Sequence, residues 1–290
     1  MPLTVLDRRE AFRKALDAER TAGRTVGLVP TMGYLHDGHL SLMRRAVADC
    51  DVVAATIFVN PLQFGATEDL TTYPRDPEGD RAKAEEAGVT YLFAPSNREM
   101  FPEPPLTTVA VSRLSRDLEG ASRPTHFQGV ATIVTKLFAL AGTCRAYFGE
   151  KDYQQLAVIR RLTADLSLPI EVVGCPTVRD VDGLALSSRN AYLSPDERAI
   201  APALYRALVQ GRAAIEEDHQ TDPEAVRTAM RQLVAAEERL LLDYAEVRDP
   251  DDLAPLTTIT GEVRLLIAAR LGRARLIDNL RAKATQCAAE

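Results

Sequence analysis

The sequence predicts an α/β protein, with a mostly parallel sheet that carries helices on both faces and a smaller α+β domain after it. Up to about residue 176, short apolar runs rich in β-branched residues alternate with amphipathic stretches. That alternation is typical of strand–helix–strand units in a parallel sheet. Beyond residue 176, long helical stretches are followed by strand-like runs, the order expected of an α+β domain. We therefore expect one domain over residues 1–176 and a smaller one over 177–290.

In the first domain, strands are predicted where short apolar runs lack a helical period. They are expected at residues 25–30, 52–59, 90–93, 145–148 and 170–173. Helices are predicted between them where apolar residues recur at helical spacing among charges. They are expected at 38–48, 77–87, 128–140 and 153–166. Parallel sheets bind ligands at the carboxyl ends of their strands, near the point where the strand order reverses, so we expect the functional loops there.

The second domain begins with a short predicted strand at 177–179, followed by a polar loop. Long helices are predicted at 195–217 and 223–241, because Pro195 and Pro223 each suit a first helical turn. Three further strands are expected at 244–248, 263–268 and 275–278.

Composition excludes several classes of protein. The 290 residues include 35 Lys and Arg against 41 Asp and Glu, a formal net charge of −6. A mildly acidic chain without clustered cations is a poor nucleic-acid binder, although a few focused cations suffice for a small anion. No apolar stretch approaches the length of a membrane span, and the first residues lack the apolar core of a secretory signal. We expect a cytoplasmic protein whose four cysteines, none in a C-x-x-C pair, are isolated thiols.

The first candidate motif follows the strand at 25–30 and reads PTMGYLHDGH over residues 30–39. A helix that starts near Gly38 offers free N–H groups and a positive dipole end to a phosphate. His36 and His39 are three residues apart and would share a face of the first turn, where both can donate to phosphate oxygens. The alternatives are an ordinary turn with two surface histidines and, less favoured, a metal site. No Walker loop or G-x-G-x-x-G motif is present.

Two further motifs follow later strands. Asn60 and Gln63 lie in NPLQF, and such amides can recognise a small hydroxy acid or be solvated in a turn. In FGEKDYQQ (148–155), Lys151 can place a charge on phosphates and Asp152 can bond a hydroxyl, with a simple helix cap as the alternative. Gln155 lies one turn into the helix that follows.

Two polar loops complete the candidates. Ser187, Ser188 and Arg189 in LSSRN have hydroxyl and guanidinium groups suited to phosphate. Arg123 and His126 in RPTHF are possible anion contacts, and His126 equally suits a packing or capping role. No G-x-S-x-G surrounds the serines, so a serine hydrolase is not indicated.

Together these motifs resemble the pantothenate synthetase family, the pantoate–β-alanine ligases of the nucleotidyltransferase superfamily. The segments that carry the resemblance are PTMGYLHDGH (30–39), IFVNPLQFG (57–65), YPRD (73–76), RPTHFQGV (123–130), FGEKDYQQL (148–156) and LSSRNAYLS (186–194). The resemblance implies a Rossmann-like nucleotide-binding domain, a smaller domain that covers the site, and a homodimer. It also implies the small-molecule substrates ATP, pantoate and β-alanine, a requirement for Mg²⁺, and no nucleic-acid or membrane partner.

Position by position, the resemblance assigns the catalytic roles to His36, His39, Lys151 and Arg189. The residues that it assigns to ATP are Met32, Gly33, Tyr34, Leu35, His36, Asp37, Gly38, His39, Gly149, Glu150, Lys151, Asp152, Val178, Leu186, Ser187, Ser188 and Arg189. It assigns pantoate and β-alanine to Gln63, Gln155 and Asn60. Members of the family often carry adjacent acidic residues after YPR, where this chain has Pro77-Glu78-Gly79-Asp80, so Asp80 is the expected magnesium ligand.

The implied reaction activates pantoate as an adenylate and passes its acyl group to the amine of β-alanine. Two other functions are open at this point. A cytidylyl- or adenylyltransferase would share the histidine turn without needing the NPLQF or FGEKDYQQ segments. A non-catalytic nucleotide-binding module would not need the phosphate-directed cations.

Overall fold

The computed structural model describes residues 2–65 and 70–284, and the chain divides into two compact units. The first unit takes the residues up to 150 together with 154–176. The second takes 151–153 together with the residues from 177 onward. The segment 151–153 thus belongs to the second unit, although its neighbours in the chain on both sides belong to the first.

The first unit is built on a sheet whose pairings, in the described residues, are all parallel. Its strands are β1 (Thr4–Leu6), β2 (Val26–Thr31), β3 (Val52–Ile57), β4 (Tyr91–Phe93), β5 (Cys144–Gly149) and β6 (Ile170–Cys175). Their order is β1-β4-β3-β2-β5-β6. The parallel α/β class predicted from the sequence is confirmed.

Helices connect these strands and bury apolar side chains against the sheet. They are α1 (Arg9–Thr21), α2 (Asp37–Asp49), α3 (Pro77–Glu86), α4 (Asn97–Met100), α5 (Glu119–Ser122), α6 (His126–Ala141) and α7 (Tyr153–Asp165). Helix α2 buries Met43 and Ala46, one turn apart, in a core that includes Val29 and Val53. A Cβ on Gly27 of β2 would lie 3.3 Å from the Cβ of Ala46, so the glycine lets α2 approach the sheet closely.

The second unit has an antiparallel sheet of β7 (Leu240–Arg248), β8 (Glu262–Leu271) and β9 (Ala274–Lys283). Before it come α8 (Pro195–Ile200), α9 (Ala203–Glu216) and α10 (Pro223–Ala235). Leu208 and Met230 of the helices share a core with Leu265 and Ile267 of β8. None of the helices in the described part of the chain is long and apolar enough to cross a membrane.

Three element predictions in the second domain were wrong. The single helix expected at 195–217 is two helices, because Pro202 lacks an N–H and its ring clashes with a continuing helix. The helix expected at 223–241 ends at Ala235, since Leu240 pairs with Leu271 in the sheet instead. The strand expected at 177–179 is reduced to one antiparallel bridge between Arg179 and Ala185.

The cysteines in the described residues are free thiols, namely Cys50, Cys144 and Cys175, and Cys287 lies outside the described residues. Cys144 is 7% exposed on β5, and burial raises its pKa to about 12. It therefore packs as a small apolar side chain and is not a reactive nucleophile.

Candidate active site

The order of the first sheet reverses between β2 and β5. From β2 the chain proceeds outward through β3 and β4, and after β5 it proceeds the other way to β6. Loops that leave the carboxyl ends of two such strands diverge and open a crevice between them. The histidine motif leaves β2 at Thr31 and the FGEKD motif leaves β5 at Gly149, so both begin at this crevice.

His36 and His39 lie at the first turn of α2, as the sequence predicts. The Nδ1 atom of His36 accepts a hydrogen bond from the Gly38 amide at 3.2 Å, and the His36 amide approaches Nδ1 of His39 at 3.4 Å. The ring centroids are 4.1 Å apart. Because each Nδ1 atom acts as an acceptor, each neutral ring carries its proton on Nε2. The helix start therefore combines its own dipole with two imidazole donors, an arrangement suited to phosphate.

The turn before these histidines is held by Asp80. The carboxylate accepts hydrogen bonds from the amides of Tyr34, at 2.8 Å to Oδ2, and Leu35, at 2.6 Å to Oδ1. The turn uses left-handed backbone at Gly33 (φ 83°) and Tyr34 (φ 52°). A Cβ on Gly33 would lie 2.8 Å from Oδ2 of Asp80, so only glycine fits beside the carboxylate. Asp80 is 2% exposed, and its first observed role is to shape this turn.

Gln63 and Asn60 form a buried amide pair after β3, the neighbour of β2. The Nδ2 atom of Asn60 donates to Oε1 of Gln63 at 3.1 Å, and Nε2 of Gln63 lies 3.0 Å from Sδ of Met32. The structure thus brings Met32 from the end of β2 against Gln63 from the end of β3. Asn60 is 1% exposed and Gln63 8%, so the pair is a rigid polar patch and not a solvated turn.

Residues at and just before the start of α6 form hydrogen bonds with the segment that carries this pair. The carbonyl oxygen of Gln63 lies 3.0 Å from Nδ1 of His126 and accepts from Nη2 of Arg123 at 3.3 Å. Asn60 also donates to the carbonyl oxygen of Gly129 at 3.1 Å. Arg123 and His126, which the sequence indicates as possible anion contacts, are bonded here to the backbone of the amide segment, and His126 is buried.

At the end of β5, the backbone of Gly149 faces open space. A Cβ there would meet no described atom within 4 Å, and the glycine does not use left-handed backbone. The protein's own packing therefore does not require glycine here, whereas close approach of a ligand to the backbone would. Gln155 lies further along, in the first turn of α7. Its neighbour Gln154, which sequence reasoning missed, is buried and donates to the carbonyl oxygens of Leu114 and Asp117.

Of the remaining predicted residues, Glu150 belongs to the first unit, and those at 151–152, 178 and 186–189 belong to the second. Nζ of Lys151 lies 3.6 Å from Oδ1 of Asp152 in a short 3₁₀ turn. Val178 and Leu186 face each other in a hairpin, where the Leu186 amide donates to the Val178 carbonyl at 3.0 Å. A second 3₁₀ turn follows, and Oγ of Ser187 accepts from the Arg189 amide at 3.3 Å at its start.

Two buried residues of β9 link these second-unit segments, and sequence reasoning missed both. Asp278 forms a bidentate ion pair with Arg179, and Asn279 donates to the backbone of Lys151. Burial raises the pKa of Asp278, whereas the ion pair with Arg179 and the hydrogen bond from the backbone amide of Asn279 partly lower it. A signal for their burial was present, since Asp278 and Asn279 directly follow the apolar Leu276 and Ile277 in this strand, and such polar residues are buried only when they are bonded.

Comparison with known proteins identifies the family of this chain. The family model for pantoate–beta-alanine ligase matches residues 4–281. The pantothenate synthetase of Heliobacterium modesticaldum is 54% identical over 258 residues, which cover 89% of this chain and 92% of that protein. That of Geobacillus kaustophilus is 50% identical over 279 residues, 96% of this chain and 92% of that protein.

Solved structures give the same result. The crystal structure of pantothenate synthetase from Thermus thermophilus superposes with a TM-score of 0.91 at 50% identity, covering 96% of this chain and 98% of that one. Pantoate–beta-alanine ligase from Francisella tularensis, complexed with beta-gamma ATP and beta-alanine, superposes with a TM-score of 0.79 at 32% identity, covering 96% and 97%. The chain belongs to the pantoate–beta-alanine ligase family.

Proposed function

We propose that this chain condenses pantoate with β-alanine, using ATP, to give pantothenate, AMP and pyrophosphate through a pantoyl adenylate. The observation that carries the proposal is the histidine pair at the start of α2, at the crevice where the strand order reverses. Next to it, Gln63, which is bonded to Asn60, is the proposed amide contact for a small hydroxy acid. One site thus combines donors for phosphate with donors and acceptors for a carboxylate and its hydroxyls.

In the first step, a carboxylate oxygen of pantoate attacks the α-phosphorus of ATP. A bond forms between that oxygen and phosphorus, and the bond to pyrophosphate breaks, so pyrophosphate leaves with its electron pair. His36 and His39 donate at Nε2 toward the phosphate oxygens, where negative charge develops. Lys151 and Arg189 are proposed, from the family resemblance, to act on the phosphates as well. No covalent bond to the enzyme is required.

In the second step, the neutral amine of β-alanine attacks the acyl carbon of the adenylate. The new carbon–nitrogen bond forms as the bond to the AMP oxygen breaks, and the nitrogen loses its proton to solvent. Catalysis in this step consists of holding the two reactants in register, for which Gln63 and Gln155 are the proposed contacts. The rigid support of Gln63 by Asn60 and α6 favours that role.

Magnesium is proposed to enter with ATP. In the described residues, no cluster of three or more His, Cys, Asp or Glu side chains could hold an ion alone. Mg²⁺ commonly binds through one or two carboxylates, substrate phosphates and water. Asp80 uses one acceptor position on each oxygen for the turn, so a second position is left for an ion. Bound there, Mg²⁺ would neutralise phosphate charge.

The other proposals come from the sequence. Residues 1–176 are proposed as the nucleotide-binding domain and 177–290 as the smaller domain. A cytoplasmic homodimer is proposed, with only small molecules as substrates. Sedimentation equilibrium measures the oligomeric state directly, with twice the chain mass of 31.7 kDa as the expected result.

The test is AMP formation from ATP with pantoate and β-alanine, each omitted in turn. AMP should require all three compounds, whereas one equivalent of pyrophosphate per active site should appear with ATP and pantoate alone. A nucleotidyltransferase for a phosphorylated substrate, or a non-catalytic binding module, would give no pantoate-dependent pyrophosphate. Absence of AMP with all three present would refute the proposed function.

A further inference from the structure

Two segments of the second unit, the one carrying Lys151 and the hairpin at 178–186 that leads to Arg189, are bonded to one pair of residues on β9. That pair is Asp278 and Asn279, which are 5% and 3% exposed. Neither belongs to a motif that sequence reasoning connects with phosphate. Buried polar side chains are stable in a fold when their hydrogen bonds are satisfied, so their bonding partners indicate their structural role.

Asn279 holds the Lys151 segment. Its Nδ2 atom donates to the carbonyl oxygen of Lys151 at 2.8 Å, and its Oδ1 atom accepts from Nη1 of Arg264 at 3.2 Å. The guanidinium carbon of Arg264 lies 3.6 Å from the ring centroid of Tyr153, two residues after Lys151. The hydroxyl of Tyr153 donates to the carbonyl oxygen of Pro250 at 2.8 Å. The segment is therefore held at the backbone of Lys151 and at the side chain of Tyr153.

Asp278 holds the hairpin through Arg179. The two guanidinium nitrogens donate to the two carboxylate oxygens at 2.5 and 2.8 Å, which fixes the plane of the side chain. The same guanidinium donates to the carbonyl oxygens of Gly183, at 3.0 Å, and Asn279, at 3.1 Å. Its bond to Gly183 spans the hairpin, and its bond to Asn279 joins the hairpin to the residue that holds Lys151.

The two halves of the arrangement are coupled by direct contact. The backbone amide of Asn279 donates to Oδ1 of Asp278 at 2.7 Å, so the carboxylate is oriented by the residue beside it. A displacement of this stretch of β9 would therefore shift both the Lys151 segment and the hairpin. After the hairpin, Nδ2 of Asn190, the residue that follows Arg189, donates to the carbonyl oxygen of Ala185 at 3.0 Å and so ties the Arg189 turn to the hairpin.

We propose that Asn279 and Asp278 are positioning residues for the reaction, which set Lys151 and the Arg189 loop in register with each other. The inference rests on the proposed function, because that function gives these two cations a common phosphate target. The pair touches no reacting atom; its effect on the rate passes through the cations. Misplacement of a reacting group by about 1 Å can cost on the order of 10²-fold in rate.

The experiment compares Asn279→Ala with the unaltered chain and with Arg275→Ala. Arg275 is also on β9 and pairs with Asp243 of β7 at 2.7 Å, so its removal breaks a polar contact of the same sheet. Steady-state pyrophosphate release gives kcat and the KM values for ATP and pantoate. We expect Asn279→Ala to lower kcat/KM for ATP by about 10- to 100-fold. The KM for pantoate should be unchanged, because Gln63 and Gln155 belong to the first unit.

Two further measurements separate positioning from loss of folded protein. If Asn279→Ala does not fold, as judged by its thermal unfolding, Arg179→Lys serves instead, since lysine keeps a charge for Asp278 and loses the fork that reaches Gly183 and Asn279. In a Lys151→Ala background, Asn279→Ala should cost less than about threefold, because the group it positions is gone.

The outcomes are decisive. An Asn279→Ala enzyme that matches Arg275→Ala in the KM for ATP and in kcat overturns the inference. Equal losses in the presence and absence of the Lys151 side chain overturn it too, since they indicate a general structural effect. If the unaltered chain forms no AMP, the proposed function fails and the inference falls with it, so that failure is recognised before any variant is compared.

Discussion

Gly129→Ala tests how tightly the amide segment is fitted to α6. A Cβ on Gly129 would lie 2.1 Å from the carbonyl oxygen of Leu62 and 2.5 Å from the amide nitrogen of Gln63. Ordinary contact begins at 3.4 Å, so the segment must move by about 1.3 Å relative to the helix (3.4 minus 2.1). The obstructing atoms are backbone, which cannot rotate away as a flexible side chain would.

The direction of the effect opposes helix propensity. Replacing glycine by alanine inside a helix stabilises it by about 1 kcal/mol when space allows. Here the clash displaces Gln63, which the proposed function places against pantoate. A shift of this size corresponds to a loss on the order of 10²-fold in kcat/KM for pantoate. We expect the KM for ATP to change less than kcat/KM for pantoate, because the histidines belong to a different loop and only Met32 of their turn is known to contact Gln63.

The assay is pantoate-dependent pyrophosphate release, with circular dichroism to establish that the variant is folded. Gly261→Ala is the matched control, since a Cβ there meets no described atom within 4 Å. A Gly129→Ala enzyme with the kcat/KM for pantoate of the unaltered chain would refute the reasoning. It would mean that the segment yields to the helix without displacing Gln63.

The other predictions concern the histidine turn, the cations, the hairpin and the thiols. His39→Ala and Lys151→Ala should each lose at least about 10²–10³ in the rate of adenylate formation, with little change in thermal unfolding; pyrophosphate release at the unaltered rate would contradict the assigned roles. Gly183→Ala, at φ 93° and with a Cβ 2.1 Å from Cδ1 of Tyr205, should lower the free energy of unfolding by about 1–3 kcal/mol in urea titrations, and Tyr205→Ala should recover part of that loss. Burial raises the pKa of Cys144 to about 12 from 9.0, so this thiol should resist iodoacetamide at about pH 8 in the folded protein. Because the thiol ionises more readily in the unfolded chain, the free energy of unfolding should fall as the pH rises above about 9. Rapid labelling of the native protein, detected by mass spectrometry, would contradict this prediction.

Most strands and helices of the first domain could be predicted from the sequence, because the spacing of apolar residues agrees there with the final structure. The runs at Val26 and Val52 are apolar and β-branched, so they are buried on both faces of the sheet wherever their neighbours lie. Two elements at the start of the chain were still missed. Strand β1 has only three residues, too few for a pattern, and helix α1 buries Phe12 and Leu16 within a highly charged stretch.

The second domain was harder because tertiary pairing decides its boundaries. Leu240 and Leu241 continue the apolar spacing of the preceding helix, yet they pair with Leu271 and Arg270 as the start of β7. A helical period cannot distinguish these outcomes when the residues suit both, since the choice depends on a strand about thirty residues later.

The site residues divide in the same way. The positions of His36, His39 and Gln63 at strand ends could be predicted because they follow strands within short motifs. The bond of Asn279 to Lys151 and the turn-holding role of Asp80 could not be predicted, because they involve residues more than 40 positions away in the chain. Motif spacing indicates candidate ligand contacts, whereas the groups that hold them in place appear only when the fold brings distant segments together.

The most direct test of the central claim uses pantoate labelled with ¹⁸O in its carboxylate. If a carboxylate oxygen attacks the α-phosphorus, that oxygen stays with phosphorus when AMP leaves, so mass spectrometry should find one ¹⁸O atom in AMP for each pantothenate formed. Unlabelled AMP, or label in pyrophosphate or inorganic phosphate, would contradict the adenylate route.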